Sequence, residues 1–434
     1  MKADVPEPTL PAVKEQYERY PYPLRDPAEE RNRIVRTWVD DLPMINQYCF
    51  AGRRRFDRGF RVLVAGGGTG DGTIYLAEQL RDTDAEIVHV DLSETSNRVA
   101  RERAAVRGLR NITWINDSLL SLSRADLGVF DYINCCGVLH HLADPEAGMD
   151  ALLPLRADGG AFGIMVYARY GRTGIYQMQS LLRLINAGID DPERKLANAK
   201  GLLPCLPRTN WFARAQDLYR EHVIGGDAGV CDMLLHAQDR AYTVAEIYTW
   251  FEDKCALSIQ FTDVNRGPAA YMPRLIAPPG EDEVWRIVDA LPLRRQQEIA
   301  ELLSGSIKMH VFYATAGSGT KAPYGVPDYV PFFFHESVTG AELFNLITRH
   351  HDRPFVLNHS LTGVTTRVDP GRFAKYVLKH VDGRRTFRQI FDLVRAEPAC
   401  AARPPGDEEL FADFAGFFGV LHALDRLLLR HYTA

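Results

Sequence analysis

Val62-Leu63-Val64-Ala65-Gly66-Gly67-Gly68-Thr69-Gly70-Asp71-Gly72 is an apolar run that stops at glycines, and a helical stretch, Thr73–Leu80, follows it. A strand that feeds glycines and then a helix lets backbone approach a ligand beside a helix N-terminus, where unpaired N–H groups point outward. Downstream, Asp91 closes the next apolar run in Val88-His89-Val90-Asp91-Leu92-Ser93. A carboxylate at that strand end sits at the switch point of a parallel sheet and can accept bonds from both ribose hydroxyls. Together the two features point to an adenosine-bearing ligand. Spacing narrows the choice. The dinucleotide fingerprint needs glycines at i, i+2 and i+5. Counting from Gly66 the third position is Asp71, whose carboxylate would repel a pyrophosphate, and counting from Gly68 it is Thr73. The pattern present is Gly66, Gly68 and Gly70, so a nicotinamide oxidoreductase fails on spacing. Gly317-Ser318-Gly319-Thr320-Lys321 also lacks the phosphate-loop spacing. For the glycines taken alone, a tight turn with no ligand is an equal reading.

Outward from this segment, apolar runs at Arg61–Ala65, Ala85–Val90, Asn111–Ile115, Val129–Cys135 and Ala161–Ala168 are separated by helix-like stretches such as Ser96–Arg107. Apolar strands alternating with helices are the mark of a parallel sheet covered on both faces, so the fold class is α/β. After Tyr170 the alternation stops, and about 171–240 reads as a helical insertion with Ile175, Met178, Leu181, Leu182 and Ile185 at helical spacing. Thr243 and Glu246 stand at capping-box spacing before a helix expected over Thr243–Cys255. Ile259–Val264 and Lys308–Thr315 read as two more strands, around a helical excursion at Glu281–Leu303. The expected domains are a Pro- and Tyr-rich arm over 1–60 that turns helical near Ile34–Tyr48, an α/β domain over 61–316, a linker over 317–334, and a small separate domain over 335–434.

Composition bounds the function classes. Hydrophobic residues make up 46% and charged residues 25%, which excludes wholesale disorder. Lys+Arg 51 against Asp+Glu 56 leaves a net charge of −5, so the chain is no polyelectrolyte for nucleic acid or anionic membranes. No run of eighteen apolar residues and no secretory signal appear, and the seven cysteines are scattered without a CxxC pair. A reduced, cytoplasmic protein is expected, with no membrane partner.

The run VLVAGGGTGDGTIYLA, then VHVDLS, then Asn116-Asp117-Ser118, then FDYINCCGVLHHLADPEAG resembles the class I S-adenosylmethionine-dependent methyltransferases, motif by motif over 61–168. The resemblance implies a Rossmann-like sheet of seven strands whose last strand is antiparallel, with the helical insertion placed as a substrate cover. It implies S-adenosylmethionine as cofactor. Gly66, Gly68 and Gly70 would line its methionine moiety, Asp91 with Leu92 would hold the ribose, and Asp117 with Ser118 would lie by the adenine amino group. Cys136 would open the floor beneath the sulfonium. One departure is Val64, where many members carry an acid that helps order the methionine ammonium.

Methyl transfer needs alignment and exclusion of water, with a base only where the acceptor carries a proton to remove. His140 is the candidate for that role, with His141 read as part of a structural turn. Tyr167 and Tyr170 end the fifth strand at the same mouth, where Tyr170 is a second catalytic candidate and strand-end packing is the equal alternative. Tyr17 and Tyr22, in an arm of aromatics interleaved with prolines, suit a cover over the cofactor or packing on the domain's own surface. His236 and Asp239 either reach the acceptor or join Arg240 in a network that buttresses the insertion. No metal site is expected, since His350-His351 has no companion ligands nearby. Around Val381–Ile390 the pattern is similar to winged-helix modules that bind leader peptides. The apolar stripe of a helix expected over Glu408–Arg430 suits core packing or a homodimer through the C-terminal region. The acceptor is expected to be a small molecule or peptide rather than nucleic acid. A catalytically silent relative, serving as a cofactor-binding scaffold or sensor, is the alternative function.

Overall fold

The computed structural model describes residues 11–219, 225–277, 283–335, 338–359 and 364–434, so the first ten residues of the expected arm lie outside the described ones. Seven strands form the main sheet: β1 Arg61–Ala65, β2 Glu86–Asp91, β3 Ile112–Asn116, β4 Phe130–Cys136, β5 Arg156–Tyr167, β6 Ser258–Thr262 and β7 Met309–Thr315. Their order is β3-β2-β1-β4-β5-β7-β6 in a mixed sheet, the Rossmann-like methyltransferase arrangement. Strands β1 to β5 pair in parallel, with Val62 opposite both Ile87 and Tyr132. Four apolar residues in a row, Val62 to Ala65, are buried, as a strand covered on both faces requires. Parallel pairing brings the C-terminal ends of β1, β2, β4 and β5 to one edge, and the chain order reverses between β1 and β4. Ligands of open α/β sheets bind at such a point.

The chain divides into two compact units, each discontinuous. One comprises residues 1–41, 56–250 and 305–311, and the other 42–55, 251–304 and 312–434. These divisions do not fall at the expected 60, 316 and 334. In the first unit the helical insertion builds its own small core from Ile175, Met178, Leu182, Phe212, Tyr219 and Met233. The insertion leaves at the end of β5 and returns beside it: Tyr242 N–H donates to the Tyr167 carbonyl (2.9 Å) and Arg169 N–H to the Tyr242 carbonyl (2.9 Å). Thr243 and Glu246 form the expected capping box, but the helix Val244–Ile247 widens into a π-helical turn over Tyr248–Lys254.

In the second unit two antiparallel pairs, β8 Tyr329–Phe333 with β11 Leu427–His431 and β9 Phe355–His359 with β10 Val364–Val368, accompany the helices. Three expectations are corrected. The stretch 317–334 is packed rather than a free linker, because Ala322 and Tyr329 sit in this unit's core. The last helix stops at Ala423, where Asp425 takes a left-handed backbone (φ 53°), and the chain leaves as β11. Ile34–Tyr48 is not one helix but a 3₁₀ turn at Trp38–Asp40 followed by a helix over Leu42–Cys49. The Phe411, Phe414, Phe418 and Leu421 stripe is buried in the unit's own core, which leaves little of it for a dimer. No helix among the described residues is long and apolar enough to cross a membrane.

Candidate functional site

At the reversal point the glycine loop is boxed in from two sides. Gly66 (φ 75°) leaves no space for a side chain, since a Cβ there would lie 2.3 Å from Val138 Cγ2, in the turn after β4. Gly68 (φ 54°) would carry a Cβ 2.8 Å from the Tyr22 carbonyl oxygen. Only glycine fits these positions without strain. The Gly68 N–H donates to Asp91 Oδ2 (2.7 Å) and the Ser93 N–H to Asp91 Oδ1 (2.9 Å). Each carboxylate oxygen therefore spends one lone pair on backbone and keeps one for a ligand. Burial raises the Asp91 carboxyl to about 6, against the two N–H groups that hold it down. The Asn116 amide and the Asp117 N–H both donate to the Asp91 carbonyl (2.9 and 3.2 Å), which draws the β3 end to the same edge. Asp117 is exposed and Ser118 half-buried there, Leu92 is half-buried beside Asp91, and Cys136 ends β4 with Sγ 3.7 Å from the Gly163 carbonyl. A cradle free of side chains with a half-satisfied carboxylate at its rim fits an adenosine-bearing ligand.

The arm lies over this cradle. Its helix, Pro11–Arg19, is fastened by Glu18, whose carboxylate accepts the Glu94 and Thr95 N–H groups (2.7 and 3.1 Å) at the N-terminus of the helix Glu94–Arg107. Charge opposite to the helix dipole favours that contact. Beyond Tyr22, Thr69 Oγ1 donates to the Pro23 carbonyl (2.7 Å) and Arg25 grips Asp71 through two bonds (2.9 and 2.6 Å). Arg103, buried, reaches Asp71 Oδ1 and the Thr69 carbonyl (2.7 Å each) and Glu30 Oε1 (2.6 Å). Arg107 closes the network on Glu30 Oε2. The sequence reading missed this network. Its signal was present, because Arg103 shares helical spacing with Val99 and Ala100 on a buried face. Asp40 was missed too: buried, it accepts from Asn134 Nδ2 (2.6 Å), and a Cβ on Gly72 would sit 2.9 Å from its Oδ2. A carboxylate from the arm thus stands behind the glycine loop although Val64 brings none.

A second group gathers at the ends of β4 and β5. Asp232 accepts from Tyr167 Oη (3.2 Å) on one oxygen and from Tyr17 Oη (3.4 Å) on the other. Tyr17 Oη also lies 3.1 Å from His236 Nε2, and the His141 and His236 rings stack at 3.8 Å. Arg172 lays its guanidinium 3.4 Å from the Tyr167 ring centre and pairs with Asp239 (3.3 Å), which also accepts from Tyr176 (3.1 Å) and Gln179 (2.9 Å). Asp239 thereby belongs to the buttress, whereas His236 reaches the cluster. His140 is fully buried against Tyr167 (ring centres 3.9 Å), and neither ring nitrogen has a partner among the described residues. Burial pushes His140 well below its ordinary range and brings His141 to about 4 and His236 to about 3, so all three imidazoles are neutral at pH 7. Tyr170, by contrast, is exposed in a 3₁₀ turn after β5, and Tyr167 takes the place expected for it.

His141, Asp232 and His236 each bring one ligand-type atom within 4.8 Å of the others, a spacing that invites a metal. The tautomers oppose it. Gln238 donates its N–H to His236 Nδ1 (3.1 Å), which leaves the proton of the neutral ring on Nε2, facing Tyr17. The Gln238 carbonyl accepts from His141 Nδ1 (2.8 Å), so only His141 keeps a free Nε2 lone pair. One imidazole that offers N–H and one that offers a lone pair make a hydrogen-bonding seat rather than a paired metal ligand set.

Residues 63–162 match the family model of a methyltransferase domain. An uncharacterized protein of Synechococcus sp. is 32% identical over 61% of this chain and 63% of its own length. A ubiquinone biosynthesis O-methyltransferase of Acinetobacter baylyi is 24% identical over 38% of this chain and 64% of that protein. The chain thus spans less than two thirds of the length of these relatives. The structure of PKMT2 from Rickettsia typhi in complex with AdoHcy superposes with a TM-score of 0.60 at 13% identity, covering 91% of this chain and 76% of that one, a likeness of fold.

Proposed function

Since residues 63–162 match a methyltransferase domain, we propose that the chain is an active class I S-adenosylmethionine-dependent methyltransferase that binds S-adenosylmethionine between the glycine loop and Asp91 and delivers its methyl group to an acceptor at the β4–β5 end. The observation that carries the reading is the half-satisfied Asp91 carboxylate tied to the side-chain-free loop through the Gly68 N–H. When bound, S-adenosylmethionine supplies an electrophilic methyl group on a sulfonium. Gly66, Gly68 and Gly70 let the loop backbone run beside its methionine half, Asp91 beside Leu92 holds the ribose, Asp117 and Ser118 flank the adenine, and Cys136 contributes the floor. Tyr17 and Tyr22 cover the donor and exclude water. The acceptor is a small molecule or peptide, with the helical insertion over it and the C-terminal region as a recognition module. A homodimer would need a surface other than the buried C-terminal stripe. The seven cysteines are free, which supports a reduced, cytoplasmic setting.

Incubating the purified chain with methyl-labelled donor and cell extract tests the activity. Label should appear in the small-molecule or polypeptide pool. Donor binding without label in any pool supports the scaffold reading instead.

His140 gives a sharper test. A buried polar group without a partner costs about 1–3 kcal/mol, so His140→Phe, which keeps the ring packing on Tyr167, should raise the unfolding free energy by about 1 kcal/mol. If the ring nitrogens meet the acceptor, turnover should fall at least about tenfold while donor affinity stays within about twofold. A more stable variant with full turnover removes His140 from the acceptor site.

A further inference from the structure

We propose that the acceptor is an alkyl amine and that Asp232, His141 and Tyr17 form the seat of its nitrogen; the inference rests on the methyltransferase reading above. Charge is the first argument. Arg172 is paired with Asp239, and among the described residues no lysine or arginine lies within ion-pair distance of Asp232. With His140, His141 and His236 neutral, the cluster carries one carboxylate in excess. Buried carboxylates need a cationic or donor partner. Among the described residues Asp232 has only two phenol hydroxyls, and the Tyr17 bond is long at 3.4 Å. Burial lifts its carboxyl to about 6, with Arg172 at longer range holding it lower, so it is ionised at pH 7.

Donor geometry is the second. An ammonium offers donors and no lone pair. The seat offers the complement: an Asp232 oxygen, the His141 Nε2 lone pair left by the Gln238 carbonyl, and the Tyr17 hydroxyl oxygen. Two acceptors bridged by one tetrahedral nitrogen at ordinary hydrogen-bond length stand about 4.7 Å apart, and one ligand-type atom each of Asp232 and His141 lies within 4.8 Å of the other.

Base strength is the third. A hydroxyl acceptor must give up its proton to a base as it reacts. The imidazoles, held at about 4 and 3, are too weak for that task, and Asp232, at about 6, is better matched to an ammonium, a far stronger acid than a hydroxyl. A thiolate or carboxylate acceptor needs no base but would face the Asp232 charge. An alkylammonium must first lose one proton: Asp232 accepts it and passes it to solvent, the freed lone pair forms the N–C bond, the electrons of the broken C–S bond remain on sulfur, and the methylated nitrogen is left as an ammonium. Asp232 stabilises the positive charge that nitrogen gains.

The test uses the full chain saturated with S-adenosylhomocysteine at pH 7.5, titrated by calorimetry with n-butylammonium, n-butanol and n-butyrate. We expect n-butylammonium to bind at least tenfold more tightly than n-butanol. Asp232→Asn should abolish that preference and leave S-adenosylhomocysteine affinity within twofold. Equal affinity for n-butanol, preference for n-butyrate, or no n-butylammonium binding overturns the proposal while donor binding stands. Should Asp232→Asn not fold, the wild-type preference decides alone. Failure of S-adenosylhomocysteine to bind overturns the methyltransferase reading itself, and this inference with it.

Discussion

Replacing Asp91 by alanine should weaken S-adenosylmethionine binding about a hundredfold. A hydrogen bond to a charged group contributes about 1.5–3 kcal/mol, and each 1.4 kcal/mol is tenfold in affinity. Alanine removes the lone pairs reserved for the ribose, and it also releases the Gly68 N–H that ties the glycine loop to the sheet edge. The two losses act on the same ligand, so the effect exceeds that of one contact. Asparagine is no conservative control, because its amide nitrogen would confront either the Gly68 or the Ser93 N–H. The pH dependence has a definite sign. With the carboxyl at about 6, Asp91 is ionised at pH 7 and a strong acceptor, so donor affinity should fall as pH drops below about 6 in the wild type. Calorimetry with S-adenosylmethionine and S-adenosylhomocysteine between pH 5 and 8 checks both statements. An alanine variant that binds the donor as the parent does removes the basis of the site.

What the sequence disclosed about this site was local. The glycine loop and the turn holding His140 each follow a strand within a few residues, Asp91 is the last residue of one, and strand ends in a parallel sheet converge by construction. The acceptor side was less legible because its parts are remote in sequence. Tyr17 and Asp232 meet across 215 positions, and only their meeting gives either residue its chemistry. The tautomers of His141 and His236 depend on one backbone group each from Gln238, which no side-chain pattern announces. Leu421, Leu424 and Leu428 share helical spacing, so the chain end reads as one helix. A single left-handed residue, Asp425, places Leu428 in a strand instead. Tyr329–Phe333 lies among prolines and glycines that read as linker, yet it pairs with that strand, Pro331 opposite Leu429. Such pairings are tertiary, and local propensity carries little information about them.

The largest structural loss is expected from Arg103→Met. Arg103 and Glu30 are both buried, and removing one partner of a buried pair costs about 3–5 kcal/mol because the other charge is left stranded. Arg107 remains on Glu30 and Arg25 on Asp71, which places the expectation at the lower end, about 3 kcal/mol. The loss should reach function as well. Arg103 binds the Thr69 carbonyl and Asp71 on the loop side and Glu30 on the arm side, so it holds the segment that puts Tyr22 over Gly68. Urea unfolding should shift to lower midpoint, and donor affinity should fall although Arg103 stands outside the cradle. The double variant Glu30→Met/Arg103→Met separates charge burial from anchoring. Replacing a whole buried pair by apolar side chains of similar volume is often neutral, so stability should largely return. Donor affinity should stay reduced, because neither methionine can hold Asp71 or the Thr69 carbonyl. If affinity returns together with stability, the network serves the fold alone and the arm needs no such anchor to cover the donor.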